Sequence, residues 1–130
     1  MAVVVRVVDG DTVVLRTAGR RERVRLIGVD APETWLRRDC FGEQATEALR
    51  HLTPPGALVS TAPDVERHDR FGRLLLYLWT PRGDFVNETL IRGGFARTMT
   101  VPPNTSHAPT LQEAEHAAQH TRAGLWRNCP

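Results

Sequence analysis

The alternation of apolar and polar positions divides the chain into a strand-rich opening and a mixed remainder. Residues 2 to 8 and 12 to 16 are valine-rich, Ala18-Gly19 marks a turn, and "ERVRLIGV" alternates from Glu22 to Val29. Together these predict a three-strand meander. "FGEQATEALRHL" puts Phe41, Ala45, Ala48, Leu49 and Leu52 on one face of a helix that Pro54, Pro55 and Gly56 terminate. "ALVSTA" predicts a short strand, and "LLLYLW" from Leu74 to Trp79 a strand buried on both faces. After the hairpin-type turn "TPRGD", a helix is expected from Val86 to Arg92, closed by Gly93 and Gly94 in the left-handed cap conformation. "TVPPNTSHAP" is too rich in proline to be regular. A last helix then takes Pro109 into its first turn and reaches Arg122, with Gly124 as its stop.

The order of three strands, helix, two strands and two helices predicts an α+β, mainly β chain: a five-stranded OB-fold barrel packed with three α-helices, with residues 1–130 as one domain. At 130 residues the chain is long enough to bury a core without a disulfide scaffold. No apolar run approaches membrane-spanning length, so no membrane association is expected. The opening "MAVVVRVV" has neither a basic start nor a small-residue cleavage site, and no export signal is expected in it.

All 17 basic residues are arginine, whose planar fork of donors suits paired phosphate oxygens. A net charge of +2 decides nothing by itself, so nucleic-acid binding has to be argued from placement. Cys40 and Cys129 lack the close spacing of a zinc ribbon or a redox pair and are either two free thiols or one disulfide.

The candidate chemistry is acidic. In "VVDGDTVVL" an Asp-Gly pair between valine strands is first a hairpin signal. A second cluster, "RLIGVDAPET", adds Asp30 and Glu33 where another strand ends, so that three carboxylates from two strand ends can converge. Convergent carboxylates are tolerated when a hard divalent cation fills the gap. Asp11 and Asp30 are then the direct ligands, the Ala31 carbonyl a further one, and Glu33 stands slightly further out, within reach of a water. An all-oxygen set favours calcium or magnesium over zinc.

"VVDGDTVVL", "VRLIGVDAPET", "DRFGRLLLYLW", "VNETLIRGGFA" and "GLW", in this order and over nearly the whole chain, resemble the staphylococcal nuclease family. The resemblance implies an OB-fold phosphodiesterase that uses Ca2+, with Mg2+ or Mn2+ as alternatives, and cleaves DNA and RNA to leave 3′-phosphates. By matching motif it implies Asp11, Asp30 and the Ala31 carbonyl as the metal ligands, Ala31 standing where the family commonly has threonine. Arg25 and Arg73 become the pair that grips the scissile phosphate, and Glu33 the candidate general base, with ordering of water or positioning of the Arg73 loop as its alternative roles. Arg70 and Phe71 are implied as nucleic-acid contacts, while Arg37 and Arg38, in the loop "TWLRRDC", either track the backbone of a bound strand or are solvated loop charges. Phe71 lacks the tyrosine hydroxyl often available there for phosphate, and "RTMTVPPNTS" lacks the family's base-stacking tyrosines. Exported relatives carry cysteines at similar places, which implies a Cys40–Cys129 bridge and a secreted or extracytoplasmic monomer. The competing function is a non-catalytic OB-fold module that binds single-stranded nucleic acid. His116 and His120 are expected to face solvent, Trp79 and Trp126 to pack in the core or dock helices, and Trp35 to lie near substrate.

Overall fold

The computed structural model describes residues 1–34 and 38–130. Its centre is a closed barrel in the order β1-β2-β3-β6-β5, formed by β1 (Ala2–Asp9), β2 (Thr12–Thr17), β3 (Arg20–Leu26), β5 (Leu58–Ala62) and β6 (Leu74–Trp79). The five strands and the meander are those the alternation predicts. Valines and leucines at every second position turn inward: Val4, Val13, Leu15, Val24, Leu26, Val59 and Leu78 are each at most 1% exposed. Within β6 only Leu76, Tyr77 and Leu78 are buried, so the strand is covered at its middle rather than along its length.

Two departures from the predicted pattern shape the site. The segment expected as one strand to Val29 breaks after Leu26, and Gly28 takes φ 79. A Cβ on Gly28 would sit 2.4 Å from Leu111 Cδ1, so glycine serves both the left-handed turn and the approach of a helix. The chain restarts as β4 (Gly28–Asp30), which pairs antiparallel with β7 (Arg97–Met99) in a separate two-stranded sheet. β7 lies just before the proline-rich stretch expected to be irregular, in residues to which the alternation assigns no element; β4 supplies the partner that makes it a strand.

The helices are α1 (Gly42–Leu52), α2 (Val86–Arg92), α3 (Ala108–Thr121) and a four-residue α4 (Leu125–Asn128) not predicted from sequence. α1 buries Ala45 and Leu49 against the barrel, carries Glu43 in its first turn and ends with Arg50 and His51, the charge order that its dipole favours. Of the two glycines expected to cap α2, only Gly94 is left-handed (φ 75); Gly93 stays right-handed at φ −77. α3 has Pro109 in its first turn, as expected. Its end is set by Arg122 in a left-handed conformation, with the Ala123 N–H donating to the Ala118 carbonyl at 2.9 Å, and Gly124 instead precedes α4. No helix among the described residues is long and apolar enough to cross a membrane. Cys40 and Cys129 form a disulfide with Cα atoms 5.8 Å apart.

Candidate active site

The "DGD" turn joins β1 to β2 as a hairpin with Asp9 opposite Thr12. Gly10 is not left-handed there. Its missing side chain is what the turn needs, because a Cβ would lie 2.7 Å from Ala31 Cβ and 2.8 Å from Ala45 Cβ. The turn is therefore wedged between α1 and the segment after β4, and it brings the two acidic motifs together. The Ala31 N–H donates to Asp11 Oδ2 at 2.9 Å, the Thr12 hydroxyl donates to Oδ1 at 3.0 Å, and the Asp11 N–H donates to Asp9 Oδ1 at 3.1 Å.

Asp11 is 8% exposed. Burial pushes its carboxyl up to about 7, with Asp9 adding to the rise, while the Arg25 guanidinium and the Ala31 N–H oppose it. Arg25 Nη2 stands 3.4 Å from Asp11 Oδ2, and Nη1 donates to the carbonyls of Val29 and Leu26. Parallel pairing of β3 with β6 sets Arg25 beside Leu75. Asn87 fixes this junction: its Nδ2 donates to the Ile27 carbonyl at 2.8 Å, and its Oδ1 accepts the Leu78 N–H at 3.0 Å.

Arg25 shares a cavity of about 360 Å³ with Arg70, Phe71, Arg73, Met99 and Val101. Arg73 is held by Asp69, whose Oδ2 accepts from Nε at 2.7 Å and whose Oδ1 accepts the N–H groups of Arg73 and Phe71, each at 2.9 Å. Burial works to raise the Asp69 pKa, but these bonds and the Arg73 charge outweigh it and leave the carboxyl below its ordinary value. The Arg70 and Arg73 guanidinium carbons lie 5.0 and 5.5 Å from the centre of the exposed Phe71 ring.

Asp30, Ala31 and Glu33 border a second concavity, of about 710 Å³, with Asp39, Arg97 and the disulfide. Asp30 is exposed and stands opposite Arg97 in the β4–β7 pair. The Glu33 N–H donates to Asp39 Oδ2 at 3.1 Å. The expected gathering of three carboxylates is corrected here: among the described residues no three His, Cys, Asp or Glu side chains cluster so as to hold a metal. The strand ends meet through the Ala31 amide, and a guanidinium, that of Arg25, stands 3.4 Å from Asp11 Oδ2. Arg38 is exposed and lies 3.6 Å from Glu43. Arg37 and Trp35 lie outside the described residues.

The remaining expectations are met more simply. His116 and His120 are exposed. Trp79 stacks on Phe85 with centroids 4.8 Å apart, and Trp126 is half-buried under Arg97. Sequence reasoning missed Asp69 and Asn87. "DRFGR" does carry a signal for the first, an Asp able to accept from amides two and four residues on. For Asn87 the signal is a polar residue beside Val86 on the buried side of a short helix.

The donor chemistry at Asp11 suits a hard cation. Asp11, Asp30 and the Ala31 carbonyl offer oxygen donors only, the set a hard cation takes, and the Ala31 amide ties Asp11 to the segment that carries the other two.

The family described as "Staphylococcal nuclease homologue" matches residues 23–128. A thermonuclease of Staphylococcus hyicus is 35% identical over 129 residues, covering 96% of this chain and 75% of the relative. A thermonuclease of Staphylococcus intermedius is 37% identical over 126 residues, covering 93% and 73%. The endonuclease YncB of Bacillus subtilis is 34% identical over 125 residues, covering 93% of this chain and 59% of the relative. With the closed barrel, the arginine cavity and these likenesses in agreement, the chain belongs to the staphylococcal nuclease family and is an enzyme of the nuclease class.

Proposed function

We propose that residues 1–130 act as one monomeric domain that hydrolyses phosphodiester bonds in DNA and RNA, uses calcium and leaves 3′-phosphates. The observation that carries this reading is the double engagement of Asp11 Oδ2, by Arg25 on the side of the arginine cavity and by the Ala31 amide on the side of Asp30 and Glu33. One buried carboxylate thus couples the phosphate-gripping side to the acidic side.

Asp11, Asp30 and the Ala31 carbonyl are the groups that would hold the cation. When bound, a divalent ion supplies positive charge to the phosphoryl oxygens and to the attacking water. Arg25 and Arg73 present two guanidinium groups to one cavity, both anchored from behind by carboxylates and carbonyls. That anchoring matters energetically, because donors already held in place need no reorganisation as negative charge grows on the phosphoryl group. Their attraction increases with that charge, so they lower the barrier more than they stabilise bound substrate. Glu33, held at its backbone by Asp39, accepts the proton from the attacking water. The disulfide and the family membership support an oxidising, extracytoplasmic compartment as the place of action.

Labelled DNA and RNA incubated with calcium, with magnesium and with chelator test the proposal. Cleavage in calcium that stops on chelation and leaves 3′-phosphate ends is expected. Intact strands in calcium, or cleavage that chelation leaves unchanged, would contradict it.

A further inference from the structure

Arg21, Arg23 and Arg25 alternate along β3 while Val24 and Leu26 fill the core, so the three arginines share the outer side of the sheet. Residues opposite one another in antiparallel strands share a face. The register sets Arg16 opposite Arg21, Val14 opposite Arg23, and Arg6 opposite Val14. Four arginines from three strands, Arg6, Arg16, Arg21 and Arg23, therefore stand together on the outer face of β1-β2-β3, and all four are exposed. Val14, flanked by Arg6 and Arg23, is only 8% exposed on that same face.

This face is unneutralised. Among the described residues none of the four arginines has an ion-pair partner. The nearest acid in sequence, Glu22, belongs to the other alternating set and lies 3.9 Å from Arg20. The face is also continuous with the arginine cavity. It starts at Arg25, which pairs with Leu75 two residues beyond Arg73, and Arg25, Leu75 and Arg73 line one cavity. Same-face residues on a strand stand about 6.6 Å apart, a spacing comparable with that of consecutive phosphates along an extended nucleic-acid strand.

We infer that the outer arginine face of β1-β2-β3 is a second binding surface for the phosphates of a nucleic-acid strand, beyond the bond being cleaved. The inference rests on the nuclease reading for its orientation: the strand leaves the Arg25–Arg73 cavity and runs along β3 toward the Ala18-Gly19 turn. Guanidinium forks grip phosphate pairwise and read no base, so the surface adds affinity with strand length and without sequence preference.

The test compares the wild type with the triple variant Arg16→Gln/Arg21→Gln/Arg23→Gln on a long oligothymidylate and on a thymidine dinucleotide. The triple variant is expected to raise KM for the long strand by roughly tenfold or more at low salt. Its kcat, and its cleavage of the dinucleotide, are expected to be unchanged. Equal effects on both substrates, or none on either, would overturn the inference. Binding of fluorescent oligothymidylate in chelator reads the surface without cleavage. Each lost contact should make the logarithmic salt dependence shallower by about 0.7, so by about 2 for all three. The single variants Arg21→Gln and Arg23→Gln carry the same measurement if the triple variant unfolds. An unchanged salt slope would overturn the inference, as would wild-type binding to phosphatidylserine vesicles in preference to the oligonucleotide. A wild type that binds with the full slope but cleaves neither substrate would instead sink the nuclease reading and leave the surface standing.

Discussion

Arg25 Nη2 and Asp11 Oδ2 lie 3.4 Å apart, with side chains only 12% and 11% exposed, at the point where the arginine cavity meets the acidic motifs. This pair is structural as well as chemical. Arg25→Ala would leave a buried carboxylate without its guanidinium, and breaking a buried pair from one side costs about 3 kcal/mol. Urea unfolding should show that loss in full only well above pH 7, where Asp11 is ionised in both proteins. It should shrink as pH falls toward 7 and below, where the Asp11 carboxyl takes up a proton and no longer needs a partner.

Asp69 is predicted to act on catalysis through Arg73. Asp69→Asn keeps an acceptor for the two loop amides but weakens the hold on Nε. The expected result is a lower kcat, by less than Arg73→Ala produces, with little change in overall stability. Steady-state kinetics beside thermal unfolding separates the two. A large fall in unfolding temperature with normal kcat would assign Asp69 to the fold alone.

Acid should loosen the loop that carries Asp69 and Arg73. Asp64 accepts from the Tyr77 hydroxyl at 2.6 Å and from the Ser106 hydroxyl and amide at 2.8 and 3.1 Å, tying the start of that loop to the start of α3. Burial works to raise the Asp64 pKa, and these hydrogen bonds outweigh it, so the folded value lies below 3.8. The unfolded chain then binds more protons in that range. The stabilisation is complete above pH 3.8 and is lost as pH falls through the folded value. Asp64→Asn should flatten the acid limb of stability against pH. A limb as steep as that of the wild type would show that other carboxylates control it.

The Cys40–Cys129 bridge closes a loop with a sequence separation of 89. In the chain-entropy picture such a closure stabilises by about 4 to 5 kcal/mol before native strain is subtracted. The double variant Cys40→Ser/Cys129→Ser should unfold at lower denaturant. Its loss should exceed that of any single exposed ion pair such as Arg38–Glu43, for which about 1 kcal/mol is the upper range. The same variant should also weaken cation affinity, since the bridge walls the concavity that Asp30 and Glu33 border.

How much of this was legible depended on the range of the forces involved. The bounds of β6 follow from its apolar run, and the extent of α2 from its glycine punctuation, because local pattern determines where these elements end. The break at Gly28 was not legible, since "LIGV" keeps its apolar pattern, and neither the left-handed turn nor the close approach of Leu111 from a distant helix shows in it. β7 is three residues long, too short for a local pattern to reveal, and exists through its pairing with β4. At the site, the residue types of Asp11, Arg25 and Arg73 were readable from motif and chemistry. The direction in which side chains leave two strand ends was not readable, and the predicted trio of carboxylates gave way to an amide and a guanidinium around Asp11. Asn87 acts through Ile27, 60 residues away in sequence, and a local pattern cannot reveal such a partner.

The central claim is that the cavity lined by Arg25 and Arg73 is where a phosphodiester is hydrolysed. Single-turnover cleavage of a labelled strand in saturating calcium, by wild type and by Arg73→Ala of equal thermal stability, tests it most directly. The expected rate in the variant is lower by about 10² to 10³, the usual loss for one preorganised donor to a developing charge. A variant that cleaves at the wild-type rate would contradict it.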